Sequence, residues 1–303
     1  MGRVLAQLVG DTGAFTTAVE HRSPQVYRTG EWPAGLPRPQ ELDAALHGGL
    51  LRVPYVEMVK DGEVVEPERF CTARLVAGRR EDGFADPARI ARLLADGATL
   101  LLPQLDHWHA PVRALAADIA RRLDRRTEAF CFATGAGRRG LDVHRDDADV
   151  LVVQLAGEKE WTVHEAPVDG RWRPGAAPEP GPVTLHTVLK PGEVLYVPRG
   201  APHTATGRQG LSVHLSFTIR EAGTARLRAA VGEHLAAADW TPQLPERPGT
   251  PQELLDAAAE VLRLARERLD GLTPQELLRL ARGPLPAPGD EPTVGPLGGP
   301  LGG

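Results

Sequence analysis

The segment GLDVHRDDADVLVVQLAGEKEW, residues 140–161, decides the fold of this chain. Its run DVLVVQLA, residues 149–156, is rich in β-branched and aliphatic side chains, which is typical of a strand buried on at least one face. The polar cluster HRDDAD comes directly before the strand, and a single lysine, Lys159, follows it. The segment therefore predicts a buried strand with charged or ligand-type groups at both of its ends.

Further short strands are predicted on both sides of this segment, from about residue 127 to residue 220. They are EAFCFAT, EWTVHEA, TLHTVLK, EVLYVP and LSVHLSFTI, separated by turns rich in Gly and Pro. Short strands at this spacing predict a β-sandwich or barrel. Strict alternation in the last strand places His214, Ser216 and Thr218 on its polar side, which is predicted to line the interior.

The flanking segments predict helices and a disordered tail. Residues 1–85 read as irregular apart from a strand, turn and strand around Asp61-Gly62, and two amphipathic helices follow before residue 126. Beyond Arg220 the pattern is helical, with capping boxes that begin at Thr250 and Thr273. We therefore expect N-terminal strands and helices packed on the barrel (1–126), a barrel core (127–220), a helical region (221–283) and a disordered tail (284–303).

Composition limits the class of protein. The chain has 303 residues, 42% of them hydrophobic, and a net charge of -5, which favours one sizeable core and predicts no direct binding to nucleic acid. Two cysteines are too few for a disulfide framework and suit a reducing cytosol. No run of 18 apolar residues predicts a membrane span, and only three of the 35 basic residues are lysine, a bias typical of GC-rich bacterial genomes. These features predict a bacterial cytoplasmic protein.

Three residues have the chemistry of metal ligands. In an extended segment residues i and i+2 point to the same side, so His144 and Asp146 project together. His203, in the segment LKPGEVLYVPRGAPHTA, is the best candidate for a third ligand. Two His and one carboxylate leave three positions open on an octahedral ion, as in non-haem Fe(II) oxygenases, for a bidentate cosubstrate and O₂. The pair His107 and His109 has a similar spacing, but its place before a helix favours capping or packing.

These motifs resemble one family. His-x-Asp, a strand ending in Gln-Leu-x-Gly-x-Lys-x-Trp, and the Pro-Gly-Glu, Tyr-x-Pro and His block are similar, in order and spacing, to the JmjC-type, cupin-like oxygenases of the ribosomal-oxygenase group. The resemblance covers roughly residues 10 to 220. It implies a mostly β fold, a double-stranded β-helix (jelly roll) with flanking helices, and dependence on Fe(II), 2-oxoglutarate and O₂.

The resemblance also implies roles for individual residues. His144, Asp146 and His203 would be the metal ligands and catalytic centre, and Lys159 would bind the C5 carboxylate of 2-oxoglutarate. Thr134 is retained from a polar pattern, Asn-x-Tyr-x-Thr, in which this chain has Phe130 and Phe132 instead of Asn and Tyr. His214 and Ser216 are further candidates for contact with the cosubstrate, with a hydrogen-bonded interior histidine as the alternative.

The implied function is hydroxylation of an amino-acid side chain, Arg or His first, in a ribosomal or other protein. A tailoring hydroxylase of a peptide natural-product precursor is the alternative enzyme. A metal-binding module without turnover and a structural cupin without metal are the alternatives outside enzymes. Arg138 and Arg139 are candidate substrate contacts, and the capped helices of 250–282 are candidate elements of a homodimer.

Overall fold

The computed structural model describes residues 3–28, 32–237, 244 and 246–285. Within them the chain forms two compact units, one ending at Arg220 and the other spanning Glu221–Pro284. The predicted disordered tail, 284–303, lies outside the described residues except for positions 284 and 285. No helix in the described part of the chain is long and apolar enough to cross a membrane.

The first unit contains the strands. They are β1 Gln25–Arg28, β2 Glu57–Lys60, β3 Glu63–Val64, β4 Cys71–Val76, β5 Arg79–Ala85, β6 Thr99–Leu102, β7 Thr127–Thr134, β8 His144–Arg145, β9 Ala148–Ala156, β10 Lys159–His164, β11 Gly175–Ala176, β12 Val183–Leu189, β13 Glu193–Val197, β14 His203–Gly207 and β15 Ser212–Arg220.

Two antiparallel sheets form the barrel. The larger sheet has the order β1-β13-β9-β15-β7-β6-β2-β3, and the smaller one has the order β11-β8-β14-β10-β12. Strands β4 and β5 form a separate hairpin. The turn between β2 and β3 holds Asp61 and Gly62 at φ values of 52° and 83°, which a two-residue hairpin turn requires. The predicted jelly-roll core is confirmed by these two sheets.

Strand β9 shows why the aliphatic run decides the fold. Leu151 and Val153 pack into a core with the helices and the N-terminal segments. Val150 and Val152 pack into a second core with Trp161 of β10, in the smaller sheet. Because both faces of β9 are covered, its sequence is almost continuously apolar instead of alternating.

The first unit also contains six of the helices. They are α1 Arg3–Val9, α2 Thr12–Glu20, α3 Pro39–His47, α4 Pro87–Ala95, α5 Leu105–Trp108 and α6 Ala110–Leu123. The expectation that residues 1–85 are irregular is wrong, because α1, α2 and α3 lie there. These helices have seven to nine residues each, which is too short for a clear helical period in the sequence.

The second unit is helical. It consists of α7 Thr224–Ala236, α8 Pro251–Asp270 and α9 Pro274–Arg282. Both predicted capping boxes are confirmed: Thr250 accepts from the backbone N–H of Glu253, and Thr273 from that of Glu276. Each of these glutamates bonds back to the cap residue, so two backbone N–H groups at the start of each helix are satisfied.

Candidate metal centre

A cavity of about 300 Å³ lies between the two sheets of the barrel. The strands β7, β9, β10, β14 and β15 each turn side chains into it, and the lining is mostly apolar. The residues that line it are Leu101, Phe130, Phe132, Gly140, Leu141, His144, Asp146, Val150, Val152, Lys159, Trp161, Val197, His203, Ala205, His214, Ser216, Thr218 and Arg220.

The three predicted ligands meet at one place in this cavity. His144 lies on β8, Asp146 follows that strand, and His203 begins β14, where it pairs with His144 across the ladder. Asp146 has one oxygen 4.0 Å from His144 Nε2 and the other 3.6 Å from His203 Nε2. The three ligand atoms all lie within 4.8 Å of one another, close enough to share one ion.

Hydrogen bonds fix which nitrogen of each imidazole faces the centre. His144 Nδ1 lies 2.8 Å from the carbonyl oxygen of Asp142, and His203 Nδ1 lies 3.0 Å from that of Ala201. A carbonyl oxygen only accepts, so each Nδ1 carries the proton and each Nε2 presents a lone pair towards Asp146. Burial and the neighbouring imidazole of His144 lower the pKa of His203, which keeps its ring neutral. The residues present therefore fit a divalent cation that takes two imidazoles and one carboxylate.

Lys159 lines the same cavity and is 2% exposed. Its ammonium donates to Thr134 Oγ1 at 3.2 Å, and that hydroxyl also lies 3.1 Å from Thr99 Oγ1. Burial lowers the pKa of Lys159 from 10.5 to about 7. The carboxylate that lines the cavity belongs to Asp146, which is part of the metal centre. An isolated buried cation is costly, so this position suits an anionic ligand that supplies the missing counter-charge.

Two polar atoms near Lys159 are buried without a hydrogen-bond partner. Among the described residues, His214 Nδ1 and Trp161 Nε1 have no hydrogen-bond partner. The imidazole of His214 is stacked on Phe132, with ring centroids 4.9 Å apart, and burial and the charge of Lys159 lower its pKa. Buried polar groups of this kind are normally satisfied, and a ligand with several oxygen atoms would satisfy them.

The structure thus brings together all seven predicted site residues. His144, Asp146 and His203 form the candidate metal centre, and Lys159, His214 and Ser216 line the same cavity, with Thr134 bonded to Lys159. By contrast, His109 is the N-cap of α6, where its Nδ1 accepts from the N–H of Val112, and this capping agrees with the expectation.

Sequence reasoning missed the ionic contacts behind the metal centre. Asp149 is buried, and its carboxylate binds Arg125 at 2.6 Å and the hydroxyl of Tyr196 at 2.9 Å. Asp147 binds the guanidinium of Arg199. A strong signal for these pairs is lacking in the sequence, because their members lie far apart along the chain.

The charge of Lys159 gives a prediction about stability. In the unfolded chain a lysine titrates near pH 10.5, and in the folded protein Lys159 titrates near pH 7. The unfolded state therefore binds more protons between these pH values, so stability should rise with pH across that window. Without metal or cosubstrate, we expect Lys159→Met to be more stable than wild type at pH 6.5 and the difference to shrink as the pH approaches 10. Urea unfolding at several pH values, with Lys190→Met as an exposed-lysine control, measures this; a difference independent of pH would contradict it.

Comparison with known proteins agrees with this geometry. The family described as JmjC domain matches residues 107–227, a range that includes all three candidate ligands and Lys159. Residues 107–227 are therefore similar to a JmjC domain. The predicted resemblance to JmjC-type, cupin-like proteins is thereby confirmed.

Two curated relatives are similar to part of this chain. Ribosomal oxygenase 2 of Bos taurus is 38% identical over 90 residues, which are 29% of this chain and 20% of that protein. Ribosomal oxygenase 1 of Homo sapiens is 29% identical over 178 residues, which are 55% of this chain and 28% of that protein. The chain thus spans about a fifth to a quarter of the length of these relatives.

A solved structure shows the same fold around the JmjC domain. The ribosomal oxygenase YcfD of Escherichia coli, in complex with cobalt and 2-oxoglutarate, superimposes with a TM-score of 0.52 at 19% identity. The match covers 86% of this chain and 68% of that chain. At this level of identity the comparison supports the fold.

Proposed function

We propose that the protein is an Fe(II)- and 2-oxoglutarate-dependent oxygenase that hydroxylates an amino-acid side chain of a protein or peptide. The observation that carries the proposal is that two imidazoles and a carboxylate converge in the same cavity as a buried lysine. The relatives named ribosomal oxygenase, and the YcfD structure with cobalt and 2-oxoglutarate, support it.

Each part of the cavity has a role in this reaction. Bound iron would couple the oxidative decarboxylation of 2-oxoglutarate to insertion of one oxygen atom into a C–H bond of the substrate. His144, Asp146 and His203 would hold the ion, and three ligands of this kind leave positions open for the cosubstrate and O₂. Lys159 holds the far carboxylate of 2-oxoglutarate, which orients the molecule along the cavity.

Neighbouring residues prepare this site. The rings of Phe132 and Trp161 pack around His214 and keep water from the cosubstrate pocket. The unpartnered Nδ1 of His214 and Nε1 of Trp161 are positioned to bond a ligand in that pocket. Thr134 orients the ammonium of Lys159, and Ser216 places a hydroxyl on the same wall.

The substrate is proposed from the relatives. An arginine or histidine side chain of a ribosomal protein is our first substrate, because the matching curated proteins are ribosomal oxygenases. The net charge of -5 is compatible with a basic partner. A peptide natural-product precursor is the second candidate, since the same cavity would accept a side chain from either source.

The test of the function separates it from the alternatives. Purified protein is loaded with Fe(II) without oxygen and then given 2-oxoglutarate, O₂ and extracts of ribosomal protein. Succinate release together with a mass gain of one oxygen atom on a substrate peptide supports the proposal. Metal binding without succinate release under any substrate condition would make the protein a binding module, and lack of metal binding would make it a structural cupin.

We further propose that α8 pairs with α8 of a second copy. Leu255, Leu262 and Leu269 recur every seven residues on this 20-residue helix and are 64%, 56% and 38% exposed. None of the residues of α8, all of which the structure describes, is buried. A leucine stripe with heptad spacing is the pattern of a helix that pairs with another helix.

The pairing predicts a change of mass in solution. Leu262→Glu places a charge in the middle of the stripe, so we expect it to convert a dimer into a monomer, as measured by light scattering coupled to size exclusion. Leu50→Glu, at an 85% exposed leucine of the first unit, should leave the dimer intact. A wild-type chain that is monomeric at high concentration would show that the stripe does not pair.

A further inference from the structure

Backbone pairing alone does not fix the position of Asp146 relative to His203. Strand β8 has two residues, and its register with β14 joins His144 to His203. Asp146 lies beyond the end of β8, in the turn that leads to β9. Its own backbone makes one bond towards the β13–β14 turn, in which the N–H of Gly200 donates to the carbonyl oxygen of Asp146 at 2.9 Å.

Arg199 adds two further links from the β13–β14 turn, one to the β8–β9 turn and one to the start of β9. Its Nε and Nη2 lie 2.7 Å and 2.6 Å from Oδ1 of Asp147, the residue next to Asp146. Its backbone N–H donates to Oδ1 of Asp149 at 2.8 Å. Arg199 therefore binds the residue that directly follows Asp146. His203 lies four residues after Arg199, at the start of β14.

Packing holds Arg199 in this position. Its guanidinium carbon lies 5.9 Å from the centre of the Trp172 ring, and its carbonyl oxygen accepts from Arg22 at 3.0 Å. The neighbouring Gly200 has a φ of 79°, and a Cβ there would lie 2.6 Å from the Trp172 ring. The ring can therefore cover the turn only because position 200 is glycine.

We propose that Arg199 is a positioning residue of the metal centre. Its ion pair with Asp147 holds the Asp146 carboxylate at its 3.6 Å approach to the His203 imidazole and so raises the affinity for the metal. The inference rests on the proposed metal site. The proposed role of Arg199 is to fix the position of a ligand. A functional site needs its groups held within about 0.5 Å of the productive geometry by the residues that support them.

The ion pair should matter far more for the metal than for the fold. Asp147 has 48% and Arg199 has 24% of its side chain exposed, and ion pairs near the surface contribute little to stability. Residues that orient metal ligands from behind commonly change metal affinity about 10- to 100-fold. A purely structural ion pair would leave the metal affinity unchanged.

Cobalt binding tests the proposal without turnover. Arg199→Gln and Asp147→Asn are titrated with Co(II) without oxygen, following the visible absorption of the bound ion. We expect each variant to raise the Kd for Co(II) about 10- to 100-fold and to change the shape of the absorption bands at saturation, with nearly unchanged melting temperature. The double variant should bind no more weakly than the weaker single variant, since both remove the same contact. Arg199→Lys, which retains the charge, should bind better than Arg199→Gln.

A matched control breaks an ion pair away from the ligands. Arg208→Gln removes the 2.8 Å contact with Glu160 just after β14 and should bind Co(II) as wild type does. If Arg199→Gln and Asp147→Asn bind Co(II) within twofold of wild type, or if their effects add, Arg199 does not position the site. If wild type itself binds no Co(II), the metal site and this inference are both wrong.

Discussion

His144→Ala will bind Co(II) at least about 100-fold more weakly than wild type and will release no measurable succinate from 2-oxoglutarate. The variant removes one of three ligands, and loss of a group that only orients a ligand already costs about 10- to 100-fold. The two remaining groups, on Asp146 and His203, do not form a facial set. Isothermal titration with Co(II) and a succinate assay with Fe(II) measure the two effects.

His186→Ala is the matched control for this variant. His186 lies on β12, on the outside of the barrel, where its imidazole contacts Glu160 and Thr162. Its removal should leave both measurements unchanged. Equal cobalt binding by wild type and His144→Ala would show that the convergence of the three side chains does not serve a metal.

Lys159→Met will weaken binding of 2-oxoglutarate to the Co(II)-loaded protein by at least about 30-fold. Removal of one partner from a buried pair of opposite charges commonly costs about 2–5 kcal/mol. Methionine retains most of the length of the lysine side chain and removes the charge that would face the far carboxylate. Calorimetric titration with 2-oxoglutarate measures the loss directly.

A second ligand identifies the contact that is lost. 2-Oxopentanoate has the keto acid that would chelate the metal but a methyl group in place of the far carboxylate. Wild type should bind it much more weakly than 2-oxoglutarate, and Lys159→Met should bind the two ligands about equally. Lys190→Met, at an exposed lysine, should retain the wild-type preference. A variant Lys159→Met that still prefers 2-oxoglutarate would place the far carboxylate elsewhere.

The sequence predicts the metal ligands and strand β9 better than it predicts the contacts that surround them. His144 and Asp146 are two residues apart in an extended segment, so their common direction follows from the strand period. The β9 run is recognisable because a strand covered on both faces must be apolar throughout. The choice of His203 as third ligand rests on its place just after the segment EVLYVP and on the family resemblance, since β14 itself has the sequence HTATG and carries little apolar signal.

The features that could not be predicted depend on contacts between distant residues. Asp149 can be buried only because Arg125 and Tyr196, from distant parts of the chain, bind its carboxylate. The approach of Arg199 to Asp147 requires the β13–β14 turn to lie beside the β8–β9 turn. Such pairs leave no periodic pattern in the sequence, so they emerge only from the folded structure.

The single-residue pairing between β8 and β14 also affects how firmly these two segments of the barrel are held together. His144 and Asp146 belong to the segment that contains β8, and His203 belongs to β14. A metal ion bound by all three side chains would cross-link the segments that carry β8 and β14, much as a disulfide joins two chain segments. Bound metal would therefore add covalent-like links between two segments whose strands pair at a single residue, and so would restrict their relative motion.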